Sequence, residues 1–255
     1  MKVAAWNVNS IKSRLQHLKD WSADFHPDVV LLQELKCQDP DFPYMEIEEM
    51  GYHCAVFGQK AYNGVAILSK IPIKEVRKGI PGFQDEQSRY IEADLENGIT
   101  VSSIYVPNGS EIGSDKYQYK MSFYAALHAY LKDRLSQEKP FVMGGDFNVA
   151  KESIDIHDPD KVGERILCSQ AERHHLNSLI NLGYADSYRV FEPHKQYFSW
   201  WDYRAGSWDQ DKGWRIDYVL TCPYATDMLT AVGIDKTPRG WEKPSDHTPV
   251  WVEIS

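Results

Sequence analysis

Seven short apolar segments, each bordered by a small group of polar residues, constrain the fold of this chain more than any other feature. Apolar runs of this length are typical of buried β-strands. They lie at 3–6, 29–32, 65–68, 104–106, 141–143, 216–220 and 249–252. Helical spacing of apolar residues separates several of them, at 13–25, 117–135 and 170–182. Because other strands follow one another directly, around 52–76 and 89–106, the pattern predicts an α/β fold of mixed sheets with helices outside them.

The chain shows no internal repeat, low-complexity tract or linker, so we expect a single domain over residues 1–255. No window approaches the ~20 apolar residues of a membrane span, and the first residues lack the apolar core of a secretory signal. We therefore expect a cytoplasmic protein without a membrane partner. The cysteines lack C-x-x-C spacing and fit neither a disulfide framework nor a zinc site. They are Cys37, Cys54, Cys168 and Cys222.

The formal net charge of −9 argues against a protein that coats DNA through a basic surface. The same charge is compatible with an enzyme that acts on nucleic acid, because an acidic, metal-binding cleft can be surrounded by a local basic surface. Composition therefore excludes a protein that coats DNA and is compatible with an enzyme that acts on nucleic acid.

Polar residues gather where the predicted strands end. Strand ends of a sheet meet at one edge, where binding groups are commonly found. Each group taken alone also fits a solvated turn, but Asp217 lies inside the apolar run "WRIDYVL", so it is buried or inward-facing and needs a partner such as an imidazole. The residues are Asn7, Asn9, Glu34, Tyr105, Asn108, Asp146, Asn148, Asp217, Asp246 and His247.

The chemistry of this set indicates a hydrolase of phosphate esters. Carboxylate and amide oxygens favour Mg²⁺ or Mn²⁺, whereas zinc would require more His or Cys. A histidine paired with an aspartate is oriented and charged by it. Since no serine or cysteine nucleophile motif is present, the residue types predict metal-assisted attack by water on a phosphate ester.

Motifs along the whole chain resemble those of a known family. "WNVNSIKSR", "LLQELK", "NGVAILSK", "YVPNG", "GGDFNVA", "WWDYR", "GWRIDYVL" and "EKPSDHTPVW" occur in this order. In this combination the chain resembles the exonuclease III type of apurinic/apyrimidinic (AP) endonuclease. The "GDFN" and "SDH" elements alone specify only the wider superfamily, which includes deoxyribonuclease I-like nucleases, inositol polyphosphate 5-phosphatases and sphingomyelinases. The resemblance implies a four-layered α/β sandwich in which two packed mixed sheets are flanked by helices.

The resemblance also implies catalytic roles for matching residues. Glu34 would be the principal metal ligand with Asn7 close by, while Asp146 would align or deprotonate the attacking water. Asn148 would hold that water or a phosphate oxygen, and Asp146 and Asn148 also count among the candidate ligands of one or two Mg²⁺ or Mn²⁺ ions. His247 would contact the scissile phosphate, and Asp217 would hold its imidazole. Tyr105 would contact or stabilise the phosphate region, and Asp246 would assist metal binding or the leaving group.

DNA contacts are implied by the same resemblance. Trp200, Trp214 and Ile216 would form a small apolar pocket that admits an extrahelical sugar without its base, although most tryptophans simply belong to a core. Further candidates are Trp208 as an aromatic that wedges or stacks against DNA, Tyr203, Arg204 and Asn108 as contacts, and Lys12, Arg14 and Lys60 on phosphates. In two places the chain departs from some relatives, with Asn9 in place of Asp and an acidic, Gly-rich segment at 109–116.

The sequence therefore predicts a Mg²⁺-dependent DNA-repair phosphodiesterase that acts as a monomer on double-stranded DNA. It would cleave 5′ to abasic sites, leaving a 3′-hydroxyl and a 5′ deoxyribose phosphate, and would also clean 3′ ends or act as a 3′→5′ exonuclease. Three alternatives stay open. They are an exonuclease with little incision at abasic sites, a phosphatase of inositol phosphate or phospholipid headgroups, and an inactive binding module on the same fold.

Overall fold

Two six-stranded mixed sheets packed face to face form the centre of the protein. A computed structural model describes residues 1–255. The first sheet has the order β11-β12-β1-β2-β4-β3 and the second has the order β5-β6-β7-β8-β10-β9. The strands are β1 (Lys2–Asn7), β2 (Val29–Gln33), β3 (His53–Phe57), β4 (Val65–Ser69), β5 (Ile73–Lys78), β6 (Tyr90–Leu95), β7 (Thr100–Tyr105), β8 (Phe141–Asp146), β9 (Ala185–Asp186), β10 (Asp217–Thr221), β11 (Leu229–Ile234) and β12 (Val250–Ile254).

Helices occupy the outer faces of the sheets, and two of the longest begin at serine caps. Ser114 accepts a hydrogen bond from the backbone of Tyr117 at the start of α3, and Ser169 forms a capping box with Glu172 at the start of α5. The helices are α1 (Ile11–Phe25), α2 (Tyr44–Glu48), α3 (Asp115–Leu135), α4 (Pro159–Val162), α5 (Gln170–Asn181), α6 (Ser187–Phe191) and α7 (Pro223–Thr226). None of these helices combines the length and the apolar character that crossing a membrane requires.

Alternating side chains of the central strands build the layers. In β1 and β2, Val3, Ala5, Val29 and Leu31 point between the sheets, while their neighbours Ala4, Trp6, Val30 and Leu32 point outward to α1. Successive residues of a strand face opposite sides, and a strand covered on both sides is apolar throughout. On the outer side of the second sheet, α3 and α5 add Phe123, Leu127 and Leu176 to the core. The predicted four-layered sandwich is confirmed.

All seven apolar segments form strands, and the three helical patterns form α1, α3 and α5. The sequence reading missed β9 and β11, which lie at the sheet edges. Most residues of β11 are only half buried, so it lacks the continuous apolar run that revealed the central strands. The sequence pattern also did not reveal the short helices α2, α4, α6 and α7, which are too short to show a helical period.

Strand directions bring the polar ends to one edge of the sandwich. β1 and β2 are parallel, as are β7 and β8, so each pair delivers its carboxyl ends to the same edge. β10 and β12 run antiparallel to their neighbours and therefore begin at this edge. In the register of the second sheet, Asp146 lies opposite both Tyr105 and Asp217. The topology alone thus gathers residues that are distant in sequence.

Two glycines allow the sheets and strands to approach closely below this edge. A Cβ atom on Gly144 would lie 2.9 Å from side-chain atoms of Ala5 and Leu31 in the facing sheet. On Gly145 it would lie 1.9 Å from the carbonyl oxygen of Ile104 in β7. Because real Cβ atoms do not approach so closely, the "GGD" sequence is a packing requirement of β8, and not the simple tight turn that the dipeptide also fits.

Candidate active site

Two carboxylates and an imidazole form a compact cluster where the two sheets meet. Glu34 follows β2, Asp146 ends β8 and His247 precedes β12. One ligand atom from each lies within 4.8 Å of the others. Asn7, at the end of β1, links the carboxylates, since its amide nitrogen donates to Glu34 Oε1 and to Asp146 Oδ2, both at 3.0 Å. The cluster therefore joins side chains from both sheets.

The backbone after the strands turns sharply to present these groups. Glu34 and Asn148 have positive φ angles of 54° and 51°, a conformation in which non-glycine residues are uncommon and Asn is tolerated best. The N–H of Asn148 donates to Asp146 Oδ1 at 2.8 Å, so the turn itself orients that carboxylate. In the loop before β12, Ser245 donates its hydroxyl to the carbonyl of Asn7 at 2.7 Å and accepts the N–H of His247. These bonds attach the His247 loop to β1.

His247 is held by a buried aspartate, as the position of Asp217 in an apolar run predicted. The imidazole Nδ1 lies 2.9 Å from Asp217 Oδ2, and Ser199 donates its hydroxyl to the same oxygen at 2.6 Å. This leaves His247 Nε2 facing Asp146 Oδ2 at 3.7 Å. Burial lowers the pKa of His247, but the carboxylates of Asp217 and Asp146 outweigh it and raise the pKa to about 10. The imidazole is therefore a cationic donor near neutral pH.

The carboxyl group of Asp146 has a pKa that burial shifts toward neutrality. Burial raises its pKa to about 7, with a further contribution from Asp217, while His247 and the N–H of Asn148 act to lower it. A carboxylate whose pKa lies close to neutrality can exchange protons with water near that pH. The site thus pairs a basic carboxylate with a proton-donating imidazolium.

Tyr105 and Lys36 both contact Glu34. The phenol of Tyr105 donates to Glu34 Oε1 at 2.9 Å, and burial together with the charge of Glu34 raises the pKa of Tyr105 well above its usual value, so it stays a donor. Lys36 Nζ lies 3.0 Å from Glu34 Oε2 and also donates to Asn9. Sequence reasoning missed Lys36, although it ends the "LLQELK" motif, because a lysine after a strand usually points into solvent.

Asp246 lies beside the cluster in a separate hydrogen-bonded group. Its two oxygens accept from the amide of Asn9 at 2.9 Å and from the indole of Trp200 at 3.0 Å. Burial acts to raise the pKa of Asp246, but the charge of His247 and these two hydrogen bonds lower it overall. It is not among the three clustered metal-ligating side chains, so its role at the metal stays a prediction.

The donor set fits a hard divalent cation. Its two carboxylates supply the oxygen ligands that Mg²⁺ and Mn²⁺ prefer, and thiolates are absent from the cluster. Asn148 is less directly available, since its amide donates to the carbonyl of Val106 at 2.9 Å and its side-chain oxygen accepts from Asn108 at 3.1 Å. The oxygen of Asn7 is likewise engaged, since it accepts the N–H of Asn9 at 3.0 Å while its amide nitrogen faces the two carboxylates. Glu34 and Asp146 are therefore the side chains best placed to hold a metal, and the role of Asn7 as a ligand stays a prediction.

The three predicted pocket residues are neighbours but differ in accessibility. Trp200 and Trp214 contact edge to face with centroids 6.4 Å apart, and Trp200 is bridged to His247 through the backbone. Trp214 and Ile216 are buried in a small apolar cluster, whereas Trp200 is half-buried. The guanidinium of Arg165 lies 5.5 Å from the centre of the Trp214 ring. Trp200 is thus the pocket residue that solvent reaches best.

The loop that begins with "WWDYR" places Tyr203 and part of Trp208 on the surface next to the site, whereas Trp201 is buried. Tyr203 is 52% exposed, and the partly exposed Trp208 packs edge to face on Trp201 at 4.9 Å. The side chain of Arg204 is 90% exposed and 3.4 Å from Asp202. All three are accessible to a ligand, as a DNA contact would require.

The predicted phosphate contacts are not equivalent. Arg14 donates to the carbonyls of Asn9 at 2.9 Å and Pro244 at 3.0 Å and to the hydroxyl of Tyr203, so its guanidinium braces the loops of the site. Lys12 is exposed and 3.7 Å from Asp41, a distance that a surface pair easily exchanges for another partner. Lys60 and Asn108 are exposed.

The fold and the site define a hydrolase of phosphate esters. The profile of the endonuclease/exonuclease/phosphatase family matches residues 4–247. Over 100% of both chains, the protein is 37% identical to exodeoxyribonuclease III of Haemophilus influenzae. The chain belongs to this family, in its exonuclease III branch, and is a nuclease.

Solved structures of the same branch share the whole architecture. The 3′ phosphatase NExo from Neisseria, solved with a product DNA hairpin, is 39% identical, with a TM-score of 0.97 over 100% of this chain and 99% of that chain. An AP endonuclease from Archaeoglobus fulgidus is 35% identical, with a TM-score of 0.96 over 100% of this chain and 99% of that chain. The sequence-based assignment to the exonuclease III type is confirmed.

Proposed function

We propose that this protein is a Mg²⁺-dependent DNA-repair phosphodiesterase that cleaves the backbone 5′ to abasic sites and removes groups or nucleotides from 3′ ends. The observation that carries the proposal is the buried cluster in which Asn7, Glu34 and Asp146 face a His247–Asp217 pair. Its oxygen-rich donors fit Mg²⁺ or Mn²⁺, held mainly by Glu34 and Asp146. When bound, such an ion neutralises charge that develops on the phosphate.

Side chains of the protein carry out the other parts of the reaction. Asp146, with a pKa near neutrality, aligns a water and takes its proton as the water oxygen attacks phosphorus. The bond from phosphorus to the 3′ oxygen breaks, and that oxygen takes a proton from solvent water and leaves as the 3′-hydroxyl. His247 donates from Nε2 to the phosphate, because Asp217 engages Nδ1. Asn148 and Tyr105 stabilise the same region as hydrogen-bond donors or carriers of water.

Residues 1–255 form the proposed catalytic unit. Site residues extend from Asn7 to His247 and belong to both sheets, so no shorter segment contains them all. A monomer is the proposed active form, since every one of these side chains comes from a single chain. The cytoplasmic location stays a prediction from sequence.

Abasic sites and 3′ ends are both proposed as substrates. Among the relatives, one structure is described as a 3′ phosphatase, one as a 3′-5′ exonuclease and one as an AP endonuclease. The half-buried Trp200 next to the catalytic imidazole offers a surface for an extrahelical sugar. The residues proposed to contact DNA around it are the partly exposed Trp208 and the exposed Tyr203, Arg204, Asn108 and Lys12.

The deciding experiment is cleavage of an end-labelled duplex carrying one abasic-site analogue, beside an intact duplex with a recessed 3′ end. We expect Mg²⁺ to support incision at the analogue and shortening of the recessed end, and EDTA to abolish both by removing the ion that Glu34 and Asp146 hold. Added Mg²⁺ in excess should restore both activities.

Other outcomes identify the alternatives. Shortening without incision would indicate a 3′-end-processing enzyme. If neither duplex is cut with any divalent metal, release of phosphate from inositol phosphate or phospholipid headgroups becomes the next test. Tight binding to the abasic duplex without turnover would instead indicate an inactive binding module.

Replacing Trp200 by Ala should lower incision at abasic sites by about tenfold, because an apolar contact between the indole and the base-free sugar, at roughly 25 cal/mol per Å² of buried surface, contributes about 1–2 kcal/mol. Shortening of a recessed 3′ end should fall less, since that reaction does not need an extrahelical sugar. Steady-state rates on both duplexes measure the difference. Equal losses on both would show that Trp200 acts through its bond to Asp246 and not through the sugar.

A further inference from the structure

A fully buried ion pair lies directly behind the active site. Lys120 of α3 and Glu172 of α5 have side chains with 0% exposure, and the ammonium donates to Glu172 Oε1. The same ammonium donates to two backbone carbonyls, that of Asn148 at 2.7 Å and that of Asn108 at 3.1 Å. A lysine ammonium has three N–H donors, and all three are used.

Both carboxylate oxygens of Glu172 also accept hydrogen bonds from the backbone or from side chains. Its Oε1 accepts the N–H of Leu167 at 3.1 Å, and its Oε2 accepts the N–H of Ser169 at 2.9 Å and the Ser169 hydroxyl at 2.8 Å. Removing two charges from water is costly, and a well-packed apolar pair of similar size is often at least as stable. Stability alone therefore does not explain a charged pair at this position.

The two carbonyls belong to the loops that leave β7 and β8 at the catalytic edge. Asn148 has a φ of 51°, and holding its carbonyl favours this otherwise uncommon conformation. In that conformation its N–H donates to Asp146 Oδ1 at 2.8 Å. The side chains of Asn108 and Asn148 also bond to each other at 3.1 Å. A continuous series of hydrogen bonds thus leads from Glu172 through Lys120 and Asn148 to Asp146.

We propose that Lys120, neutralised by Glu172, is a positioning residue of the phosphodiesterase reaction: it fixes the peptide of Asn148 and the loop of Asn108, and through them the carboxylate of Asp146. The inference rests on the proposed function for the roles of Asp146 and Asn148. Lys120 itself does not touch the reacting atoms. Its effect is geometric, because a small displacement of a catalytic group can lower a rate by up to about 10²-fold.

Three variants separate positioning from folding. Lys120→Met leaves the Glu172 carboxylate buried without a counter-charge, so the urea midpoint of unfolding should fall. The double variant Lys120→Met with Glu172→Gln carries no unpaired charge, and the Gln oxygen can still accept from Ser169 at the α5 cap, so most of the lost midpoint should be recovered. Arg77→Met is the matched control, since Arg77 also pairs with a buried carboxylate, Glu92, on the outer strands of the second sheet.

The readouts are kcat and KM on the abasic duplex with Mg²⁺, affinity for the same duplex in EDTA, and the urea midpoint. We expect the double variant to keep a kcat reduced by about tenfold to a hundredfold, with KM and affinity in EDTA within about twofold of the wild type. Arg77→Met should lose stability and keep its kcat.

Two results would overturn the inference in different ways. A double variant with both stability and kcat restored would show that the pair only joins α3 to α5. A wild-type protein without cleavage of the duplex under any metal would refute the proposed function and the inference with it. If the single Lys120 variant fails to fold, the double variant carries the test alone.

Discussion

Replacing Asp146 by Asn should lower the rate of abasic-duplex cleavage by about 10³-fold or more. The substitution removes the group proposed to take the proton of the attacking water, a contribution of about 10²–10⁴, and it also removes one of the two carboxylates that could hold a metal ion. Both losses act on the same step, so the combined effect should exceed that of any single phosphate contact.

The same substitution should leave the fold at least as stable as before. The ionised carboxylate is held in a buried site that raises its pKa to about 7. An acid with a raised pKa destabilises the folded state when it is ionised, over the pH range above its unfolded value. The neutral Asn therefore relieves a cost at pH 8.

Kinetics at saturating Mg²⁺, together with urea unfolding at pH 8, measure both expectations. Affinity for the abasic duplex in EDTA is the control and should not decrease, since a negative charge next to the phosphate has been removed. A variant that keeps more than about a tenth of the wild-type rate would show that another group accepts the proton.

Replacing His247 by Ala should reduce kcat by about 10²–10⁴-fold. His247 is the cationic donor at the site, because the carboxylates around it raise its pKa to about 10 in spite of burial. Stability should fall as well, since the imidazolium pairs with Asp217. That contribution is fully present below the unfolded pKa of about 6.5 and is lost as pH rises through about 10.

Asp217→Asn tests the electrostatic origin of this effect without removing the imidazole. The neutral amide no longer raises the pKa of His247, so the alkaline decline of kcat should begin at a lower pH than in the wild type. Profiles of kcat against pH for the two proteins measure the shift. If kcat declined over the same alkaline pH range in both proteins, the charge of His247 would not limit the reaction. Asp217 would then contribute only the orientation of the imidazole.

The sequence predicted which residues converge but not how each is held. Glu34, Asp146 and His247 follow or precede apolar strands, and the topology of mixed sheets requires such ends to meet. The burial of Asp217 also followed from its apolar neighbours. These predictions depend on local periodicity, which the sequence shows directly.

Other features depend on tertiary packing that no local pattern reveals. Lys120 lies in a helix where lysine is usually solvated, yet α5 buries it completely. Arg14 opens a helix and was expected to contact phosphate, but the loops of Asn9 and Pro244 occupy its guanidinium. Trp214 and Ile216 are in the predicted pocket, but neighbouring loops cover them.

The arrangement of β1 and β12 side by side in the first sheet has a consequence for the order of folding. The hydroxyl of Ser245 bonds to the carbonyl of Asn7 at 2.7 Å across 238 positions of sequence. Closing so long a loop costs conformational entropy before the new contacts compensate for it, and pairings of this kind form slowly. We therefore expect the imidazole of His247 to join the other site residues late, when β12 pairs with β1.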